Sequence, residues 1–191
     1  MRKVLVFNNV SLDGYIADEK GDMSWAHNQD PEWLAFTAEN AKGQAEMLFG
    51  RITYEMMAGW WPTPQALQSM PGVARAMNEA PKVVFSRTLD SATWQNTRLV
   101  KGDPAAEVGK MKTQPGPGML VMGSGTIVSQ LTDANLVDEY QIVLHGIALG
   151  RGKKMFDIRE KTPLALMKTR VFKNGNVVLW YEPPRASPLP S

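Results

Sequence analysis

The chain has 191 residues, is 43% hydrophobic, and carries a net charge of +2 with two histidines and no cysteine. These values predict one ordinary globular domain with enough apolar material for a core. They exclude a disulfide framework, a thiolate metal site and a strongly basic nucleic-acid-binding surface. No apolar window approaches the roughly eighteen residues of a membrane span, and no signal peptide follows Met1, so we expect a cytoplasmic protein with no membrane or nucleic-acid partner.

The first predicted element is a buried strand over residues 3–10, followed by an Asp-Gly turn within residues 11–17. A polar loop over residues 18–30 comes next, yet it carries Met23 and Trp25. Large apolar side chains in a polar loop are expected to fold back onto the body of the protein or onto a ligand.

A helix is predicted to begin at Pro31. Asp30 is a suitable N-cap, proline is favoured at the first helical position, and Glu32 places an acid in the first turn. Trp33 and Phe36 then give the helix an apolar face.

Strands and helices alternate through the middle of the chain. The predicted elements are a strand at 46–50, a helix from 51 that Gly59 and Pro62 end, a helix at 65–78, a strand at 82–88, a weak strand at 97–100 and a helix at 104–113. Such alternation is typical of a largely parallel sheet with helices on both faces.

Residues 119–131 combine a short apolar strand, the sequence Gly123-Ser124-Gly125, and an apolar pattern at helical spacing. A strand, a glycine turn and a helix N-terminus in succession bring free backbone N–H groups close to an anion. A tight turn with no ligand explains the same pattern, because the third glycine of G-x-G-x-x-G is missing.

The last third of the chain predicts further strands and an antiparallel hairpin. Its elements are a strand at 137–144, a glycine- and lysine-rich loop at 146–154, strands at 164–172 and 176–182 joined by a type I′ turn at Asn174-Gly175, and a disordered tail at 183–191. We therefore predict a single domain over residues 1–182 of the α/β class: three layers, with a mostly parallel twisted sheet, helices on both faces and a C-terminal antiparallel hairpin.

Glycine, hydroxyl and arginine residues follow several of these strands. In open α/β sheets ligands bind beyond the carboxyl ends of the strands, so residues delivered there by separate strands favour a nucleotide with more than one phosphate group. Taken singly, an arginine at such a position is more often a solvated surface residue. The residues expected at this edge are Ser11, Asp13, Gly50, Arg51, Ser86, Arg87, Gly123, Ser124 and Gly125.

Five short motifs resemble the dihydrofolate reductase superfamily, and more closely its branch related to the reductase domain of riboflavin biosynthesis. They are Gly50-Arg51-Ile52-Thr53-Tyr54-Glu55, Val83-Val84-Phe85-Ser86-Arg87, Met122-Gly123-Ser124-Gly125, the Ser11–Ala17 segment, and the stretch from Val137 to Lys153. Their order and spacing extend the likeness over roughly residues 2 to 182.

The resemblance implies NADPH as the cofactor and assigns it three groups of residues. Gly50, Arg51 and Thr53 would hold cofactor phosphates, Ser86 and Arg87 the adenosine 2′-phosphate, and Gly123, Ser124, Gly125 and Thr126 the pyrophosphate. No metal site is expected.

On the substrate side, the resemblance implies that Asp13 lies near the nicotinamide and that Glu32 resembles the acid that binds a pterin ring. Ser11 and Trp25 would contact the substrate. A plain Asp-Gly turn is an equally good explanation of Asp13. The branch tends to form homodimers, and the long apolar strands of the closing hairpin agree with a buried twofold interface.

The resulting hypothesis is an NADPH-dependent reductase of a small heterocyclic or carbonyl substrate, riboflavin-pathway-like or pterin-like. No arginine stands near Ala80-Pro81, where the superfamily would hold the glutamate tail of folate, so dihydrofolate itself is not the expected substrate. The alternative is a catalytically silent nucleotide-binding protein of the same fold.

Overall fold

The computed structural model of the protein describes residues 1–27, 30–41, 43 and 45–184. Of the predicted disordered tail, only Pro183 and Pro184 fall among these residues, and both are exposed and outside any helix or strand. Residues 185–191 lie outside the described part. Within that part, no helix has the length and apolar character needed to cross a bilayer.

Ten strands and six α-helices make up the described chain. The strands are β1 Val4–Ser11, β2 Tyr15–Ala17, β3 Glu46–Gly50, β4 Lys82–Phe85, β5 Thr97–Val100, β6 Met119–Met122, β7 Glu139–His145, β8 Lys153–Lys154, β9 Ala165–Val171 and β10 Val177–Glu182. The helices are α1 Pro31–Ala41, α2 Arg51–Trp60, α3 Pro64–Ser69, α4 Pro71–Glu79, α5 Pro104–Thr113 and α6 Gly125–Asp133. A single 3-10 turn covers Ser24–Ala26.

Eight of the strands form one sheet in the order β5-β4-β3-β6-β1-β7-β10-β9. The six strands from β5 to β7 run parallel, and β10 and β9 close the sheet as an antiparallel hairpin. The remaining pair, β2 and β8, forms a small antiparallel sheet of its own. The predicted α/β fold, mostly parallel with a closing antiparallel hairpin, is confirmed.

Helices cover both faces of the large sheet, and alternate residues of one strand serve the two cores. Leu48 on β3 is buried with residues of α5 and α6, such as Val108 and Leu131. Its neighbour Phe49 is buried with residues of α2 and α4, such as Tyr54. A strand covered on both sides favours apolar side chains on both faces, which is why residues 47–49 of β3 and 83–85 of β4 are continuous apolar runs rather than alternating ones.

Strand β1 lies at the centre of the sheet and extends beyond the end of its neighbour β6. Its pairing with β6 ends at Phe7 and Met122, whereas its pairing with β7 continues to Ser11 and His145. Beyond Phe7, therefore, a crevice opens between β1 and the chain that leaves β6. Crevices of this kind are where parallel sheets bind ligands.

Two local predictions were wrong. The single helix predicted at 65–78 is two helices, α3 and α4, because Met70 has φ −139° and ψ 61° and Pro71 begins α4. A residue before proline is pushed out of the helical region, so the break is dictated by Pro71. The strand predicted at 82–88 ends at Phe85, because Ser86 begins a turn.

The hairpin turn also differs from the predicted type I′. That turn needs positive φ at both central residues, but of Asn174 and Gly175 only Gly175 has it, at 88°. Gly175 N–H donates to the carbonyl oxygen of Phe172, and Phe172 N–H donates to that of Asn176. The loop is thus a three-residue connection in which glycine alone adopts the left-handed conformation.

Candidate functional site

A cleft of about 1200 Å³ opens at the carboxyl edge of the sheet. Its walls come from the ends of β1, β3, β4 and β6 and from the small β2–β8 sheet. All the residues expected at the cofactor line it, namely Gly50, Arg51, Thr53, Ser86, Arg87, Gly123, Ser124, Gly125 and Thr126. The four residues expected at the substrate, Ser11, Asp13, Trp25 and Glu32, are not among the lining residues.

Three helix N-termini reach this cleft, and two of them are uncapped. The N-cap residues of α2 and α6 are Gly50 and Ser124, and neither accepts a side-chain hydrogen bond from its helix. In α5, by contrast, the Asp103 carboxylate accepts the N–H of Ala106 at 2.8 Å. The first N–H groups of a helix have no partner inside it and carry the positive end of the helix dipole. The ends of α2 and α6 are therefore suited to bind anions.

The turns that carry these two helix ends are packed directly against each other. A methyl group on Gly50 would overlap the Ser124 side chain, and one on Gly123 would lie 2.9 Å from Cγ2 of Thr53. A methyl group on Gly125 would overlap the backbone carbonyl of Lys154. The predicted glycines are thus required by the close approach of three chain segments, whether or not a ligand is bound.

The turn after β6 is left-handed at two successive residues, with φ 63° at Gly123 and 52° at Ser124. Asn8 on β1 holds this turn, since its Oδ1 accepts the N–H of Gly123 at 2.6 Å. With Oδ1 fixed as the acceptor, Nδ2 is the donor end of the amide, and it is buried without a hydrogen-bond partner.

Both Asn8 and Asn9 line the cleft, and the sequence analysis did not single them out. The sequence does contain a signal for both residues, because two adjacent amide side chains interrupt an otherwise apolar strand. A buried polar group without a partner destabilises the folded state by about 1–3 kcal/mol. A residue that keeps such a group therefore indicates a role other than packing, such as binding a ligand.

The cationic side chains of the cleft differ in whether they form ion pairs within the protein. Arg51 pairs with Glu55 at 3.0 Å, one helical turn along α2, and both side chains remain nearly half exposed. Arg87 is exposed and makes no hydrogen bond or ion pair within the described residues. Lys153 and Lys154 on β8 also line the cleft and add exposed positive charge.

Ser86 closes the turn that presents Arg87. Its Oγ accepts the N–H of Leu89 at 2.9 Å and that of Thr88 at 3.2 Å. Oγ also lies 3.4 Å from Oγ1 of Thr88. With Thr88 as the donor of that contact, the Ser86 hydroxyl can order the turn and donate its own proton to an anion.

Asp13 joins two loops rather than facing the cleft. Its carboxylate accepts the hydroxyl of Ser11 at 2.7 Å and the N–H groups of Leu149 at 3.0 Å and Gly150 at 2.6 Å. The hydrogen bond from Ser11, followed by that from Leu149, lowers the pKa of Asp13 to about 2. The group is an ionised acceptor that ties the turn after β1 to the loop before β8. Its expected role near the nicotinamide stays a prediction.

Glu32 lies on α1 and pairs with Arg170 of β9 at 3.1 Å. That contact is partly exposed and lies away from the cleft lining. The structure therefore brings the cofactor residues together but does not bring Glu32 to them.

Trp25 folds back onto the body of the protein, as expected of a large apolar residue in a polar loop. Its ring meets that of His145 edge to face at 5.3 Å, and its Nε1 is buried without a partner. His145 Nε2 lies 2.9 Å from Oδ1 of Asn9, and burial lowers the pKa of His145 to about 4. The imidazole is therefore neutral at pH 7. Asn9 links this aromatic group to the cleft.

No cluster of three His, Cys, Asp or Glu side chains in the described part could hold a metal ion.

Comparison with known proteins shows the family of the chain and its fold. The family model described as the RibD C-terminal domain matches residues 2–178. The uncharacterized protein YyaP of Bacillus subtilis (strain 168) is 27% identical over 182 residues, which is 94% of each chain.

Two solved structures share the fold. A putative riboflavin biosynthesis protein from Shewanella sp. PV-4 superposes with a TM-score of 0.73 at 23% identity, covering 96% of this chain and 99% of that one. Dihydrofolate reductase from Enterococcus faecalis, complexed with NADP(H), superposes with a TM-score of 0.65 at 14% identity, covering 94% and 95%.

Proposed function

The chain belongs to the RibD C-terminal domain family, and from that premise we propose that it is an NADPH-dependent reductase of a small heterocyclic or carbonyl substrate. The observation that carries the proposal is the meeting of all nine expected cofactor residues in one cleft. They come from three separate strand ends, and they include two uncapped helix N-termini. The fold shared with an NADP(H)-complexed dihydrofolate reductase supports the same cofactor.

We place the cofactor across the strand ends, from β4 to β1. Ser86 and Arg87 follow β4 and would take the adenosine 2′-phosphate, since a hydroxyl and a free guanidinium suit a dianion. The helix ends at Gly50 and Gly125 follow β3 and β6 and would take the pyrophosphate. The span from β4 to β1 is three strand spacings, about 14 Å, which requires an elongated ligand.

The residues present fit this cofactor. Glycines where a methyl group would collide allow close backbone approach, and the buried donor Nδ2 of Asn8 lacks a partner at the nicotinamide end. The nicotinamide, when bound, supplies the hydride. The protein contributes by positioning both reactants and by excluding water from between them.

The substrate would lie at the β1 end of the cleft, beside Phe7, Asn9, Ile16 and Met23. His145 fixes the amide of Asn9, so this polar group has a defined orientation toward a ligand. The carboxylates among the described lining residues are Asp103, Asp133 and Asp157. Asp103 precedes α5, Asp133 ends α6, and Asp157 follows β8. Since none of these three stands at the β1 end of the cleft, water is the proposed source of the proton that accompanies the hydride.

Titration with NADPH, followed by the fluorescence of the cofactor, tests the proposal. We expect saturable binding with an affinity higher than for NADH. Turnover is then sought with a panel of pterins, flavin precursors and small carbonyl compounds, by the loss of NADPH absorbance. Absence of saturable binding at hundreds of micromolar NADPH would reject the proposal.

A second candidate is a nucleotide-binding protein without catalysis. It is favoured by the engagement of the two candidate catalytic carboxylates elsewhere, Asp13 with loop N–H groups and Glu32 with Arg170. Tight NADPH binding with no oxidation across the whole panel would support this candidate. Reduction of any one compound at an enzymatic rate would exclude it.

We also propose that the protein is a homodimer that buries β9. This strand is the outer edge of the large sheet, and all seven of its residues are exposed. They include Leu166, Met167 and Val171, of which Val171 is 72% exposed. A long open edge with apolar side chains is an aggregation hazard unless another chain pairs with it.

A further inference from the structure

Asn9 projects from the face of the large sheet that carries α1 and α2. Side chains alternate along a strand, and Val10 is buried in the core with residues of α5 and α6. Phe7 and Asn9 therefore project to the opposite face. Phe7 packs there against the cluster that contains Trp33 of α1, and it is paired in register with Met122, which packs against the cluster of α2.

The Asn9 amide has a fixed orientation. Its Oδ1 lies 2.9 Å from Nε2 of His145 on the adjacent strand β7. The imidazole is buried and neutral at pH 7, so its Nε2–H donates to Oδ1. The rings of Trp25 and Trp33 meet the imidazole edge to face, at centroid distances of 5.3 and 6.2 Å, and so hold it in place.

The other end of the Asn9 amide, Nδ2, is free. Asn9 lines the cleft, and within the described residues Nδ2 has no hydrogen-bond partner. Unlike Nδ2 of Asn8, it is not fully buried, so a ligand in the cleft can reach it. An amide NH2 group only donates hydrogen bonds, and therefore the group that it meets on a ligand must be an acceptor.

Apolar side chains of α2 line the cleft on the same face of the sheet. Ile52 and Met56 lie one helical turn apart, so both belong to one side of the helix. They line the cleft while 67% and 41% exposed, respectively, so the protein itself leaves them largely uncovered. A flat apolar ligand would bury them, and apolar walls with a few fixed polar groups are typical of small-molecule sites.

This part of the cleft offers no acidic acceptor. None of the three carboxylates among the described lining residues stands at the β1 end. Glu32 of α1 is paired with Arg170 at 3.1 Å and is not a lining residue. A ligand whose polar edge consists of donors would leave both those donors and Asn9 Nδ2 unpaired, which weakens binding. A ligand with a carbonyl oxygen at that edge would satisfy Nδ2.

We propose that Asn9 Nδ2 donates a hydrogen bond to an exocyclic carbonyl oxygen of the substrate, and that the site therefore selects oxo-substituted planar heterocycles over amino-substituted ones. His145 is the positioning residue for this contact, because it fixes which end of the amide faces the cleft. The inference rests on the proposed function and names the substrate class of the same cleft. It assigns Asn9 a role in specificity, not in the transfer of the hydride or the proton.

Two pteridines of the same shape test the selection. Lumazine carries exocyclic oxygens at the ring positions where 2,4-diaminopteridine carries amino groups. Isothermal titration calorimetry of the wild type, with and without NADP⁺, should give an affinity for lumazine that is about tenfold higher, the scale of one hydrogen bond. Equal affinities, or a preference for the diamine, would overturn the proposal.

Two substitutions separate the donor of Asn9 from the rest of its side chain. Asn9→Leu removes the amide, so it should weaken lumazine about tenfold and leave the diamine almost unchanged. Asn9→Asp puts an oxygen in the place of Nδ2 at nearly the same size, and it should reverse the preference, because a carboxylate accepts hydrogen bonds from amino groups. Asn40→Asp makes the same chemical change at an exposed amide of α1 outside the cleft lining, and it should keep the preference of the wild type.

A variant of His145 tests the positioning role. His145→Phe keeps an aromatic ring in the cluster but removes the Nε2–H group, so the Asn9 amide can turn either end to the ligand. The affinities for the two pteridines should then become nearly equal, although Asn9 itself is unchanged. A merely structural role would lower both affinities, or the midpoint of thermal unfolding, without changing their ratio. That result would overturn the positioning role.

The same measurements separate this inference from the proposed function. A wild type that binds NADPH but binds neither pteridine, or binds both equally, overturns the inference and leaves the reductase standing. A wild type that prefers lumazine but binds no NADPH rejects the reductase and keeps the donor at Asn9. A preference for lumazine that persists in Asn9→Leu assigns the selection to another group and overturns the inference.

Discussion

Asn9 and His145 are joined across adjacent strands by a 2.9 Å hydrogen bond between Oδ1 and Nε2. The bond lies just beyond the point where β1 loses its pairing with β6, so it secures the strand that forms one wall of the crevice. With Oδ1 as the acceptor, Nε2 carries the proton of a neutral imidazole. An imidazolium would keep this contact, because it also carries a proton on Nε2, so the burial of the ring is what disfavours the charged form.

The burial of His145 makes folding stability sensitive to acid. The pKa of His145 is about 4 in the folded protein, against an ordinary value of 6.5, because the ring is buried. Between these values the unfolded chain binds the proton first, so stability falls as the pH is lowered from 6.5 to 4, by up to about 3 kcal/mol. Urea unfolding at pH 7 and pH 5 measures the change. His145→Asn should flatten this part of the profile, and His27→Asn, on the surface, should not; equal slopes in all three proteins would contradict the prediction.

Arg87 and Arg51 should differ in what they recognise. Arg87 is free at the end of β4 and is placed at the 2′-phosphate, so Arg87→Ala should weaken NADPH by about 1.5–3 kcal/mol and leave NADH almost unchanged. Arg51 begins α2 and is proposed to contact phosphates that both cofactors carry, so Arg51→Ala should weaken the binding of both. Fluorescence titration with each cofactor measures the four affinities. Equal losses in Arg87→Ala would show that the 2′-phosphate lies elsewhere.

The Asp13 carboxylate should hold the loop that contains Leu149 and Gly150 in place. Asp13→Ala removes the acceptor of the Leu149 and Gly150 N–H groups, so hydrogen exchange should speed up at those two amides. Glu32→Gln is the control, because its partner is Arg170 and the loop should keep its protection. Because the pKa of Asp13 is about 2, the carboxylate should stay ionised, and the loop should keep these hydrogen bonds, down to that pH. Unchanged exchange combined with lost turnover would instead support a role in the chemistry.

The proposed homodimer is tested at its expected interface. Val171→Lys places a charge at the most exposed apolar position of β9, which should convert a dimer to a monomer in light scattering at tens of micromolar. Leu67→Lys, at an exposed apolar residue of α3, should leave the dimer intact. A wild-type monomer at that concentration would contradict the assignment.

The sequence predicted the elements whose signals are local. Asp30 does cap α1, since its Oδ1 accepts the N–H of Trp33 at 3.0 Å, and the glycine turn after β6 does lead directly into α6. The order of the strands depends on contacts between distant segments and leaves no such signal. The pair β2 and β8 was missed for that reason, because Lys153 and Lys154 are exposed and carry no apolar pattern.

The candidate site divides in the same way. Its glycine and arginine residues stand in short motifs, so their order along the chain identified them. Asn8, Asn9 and His145 acquire their importance only when β1 lies between β6 and β7, which no local pattern specifies. For Asp13 the difference runs the other way. A motif predicted a role for it at the site, whereas its partners in the structure are the N–H groups of a loop.

The central position of β1 has a consequence for how the chain folds. The strand precedes the other nine in chain order, yet its partners are residues 119–122 and 139–145. Until those residues have been synthesised, Val4, Val6 and Val10 have no sheet to enter. Pairings at such sequence separations slow folding and lengthen the exposure of apolar strands to aggregation. We therefore expect a nascent chain of this protein to rely on chaperones until β7 has emerged.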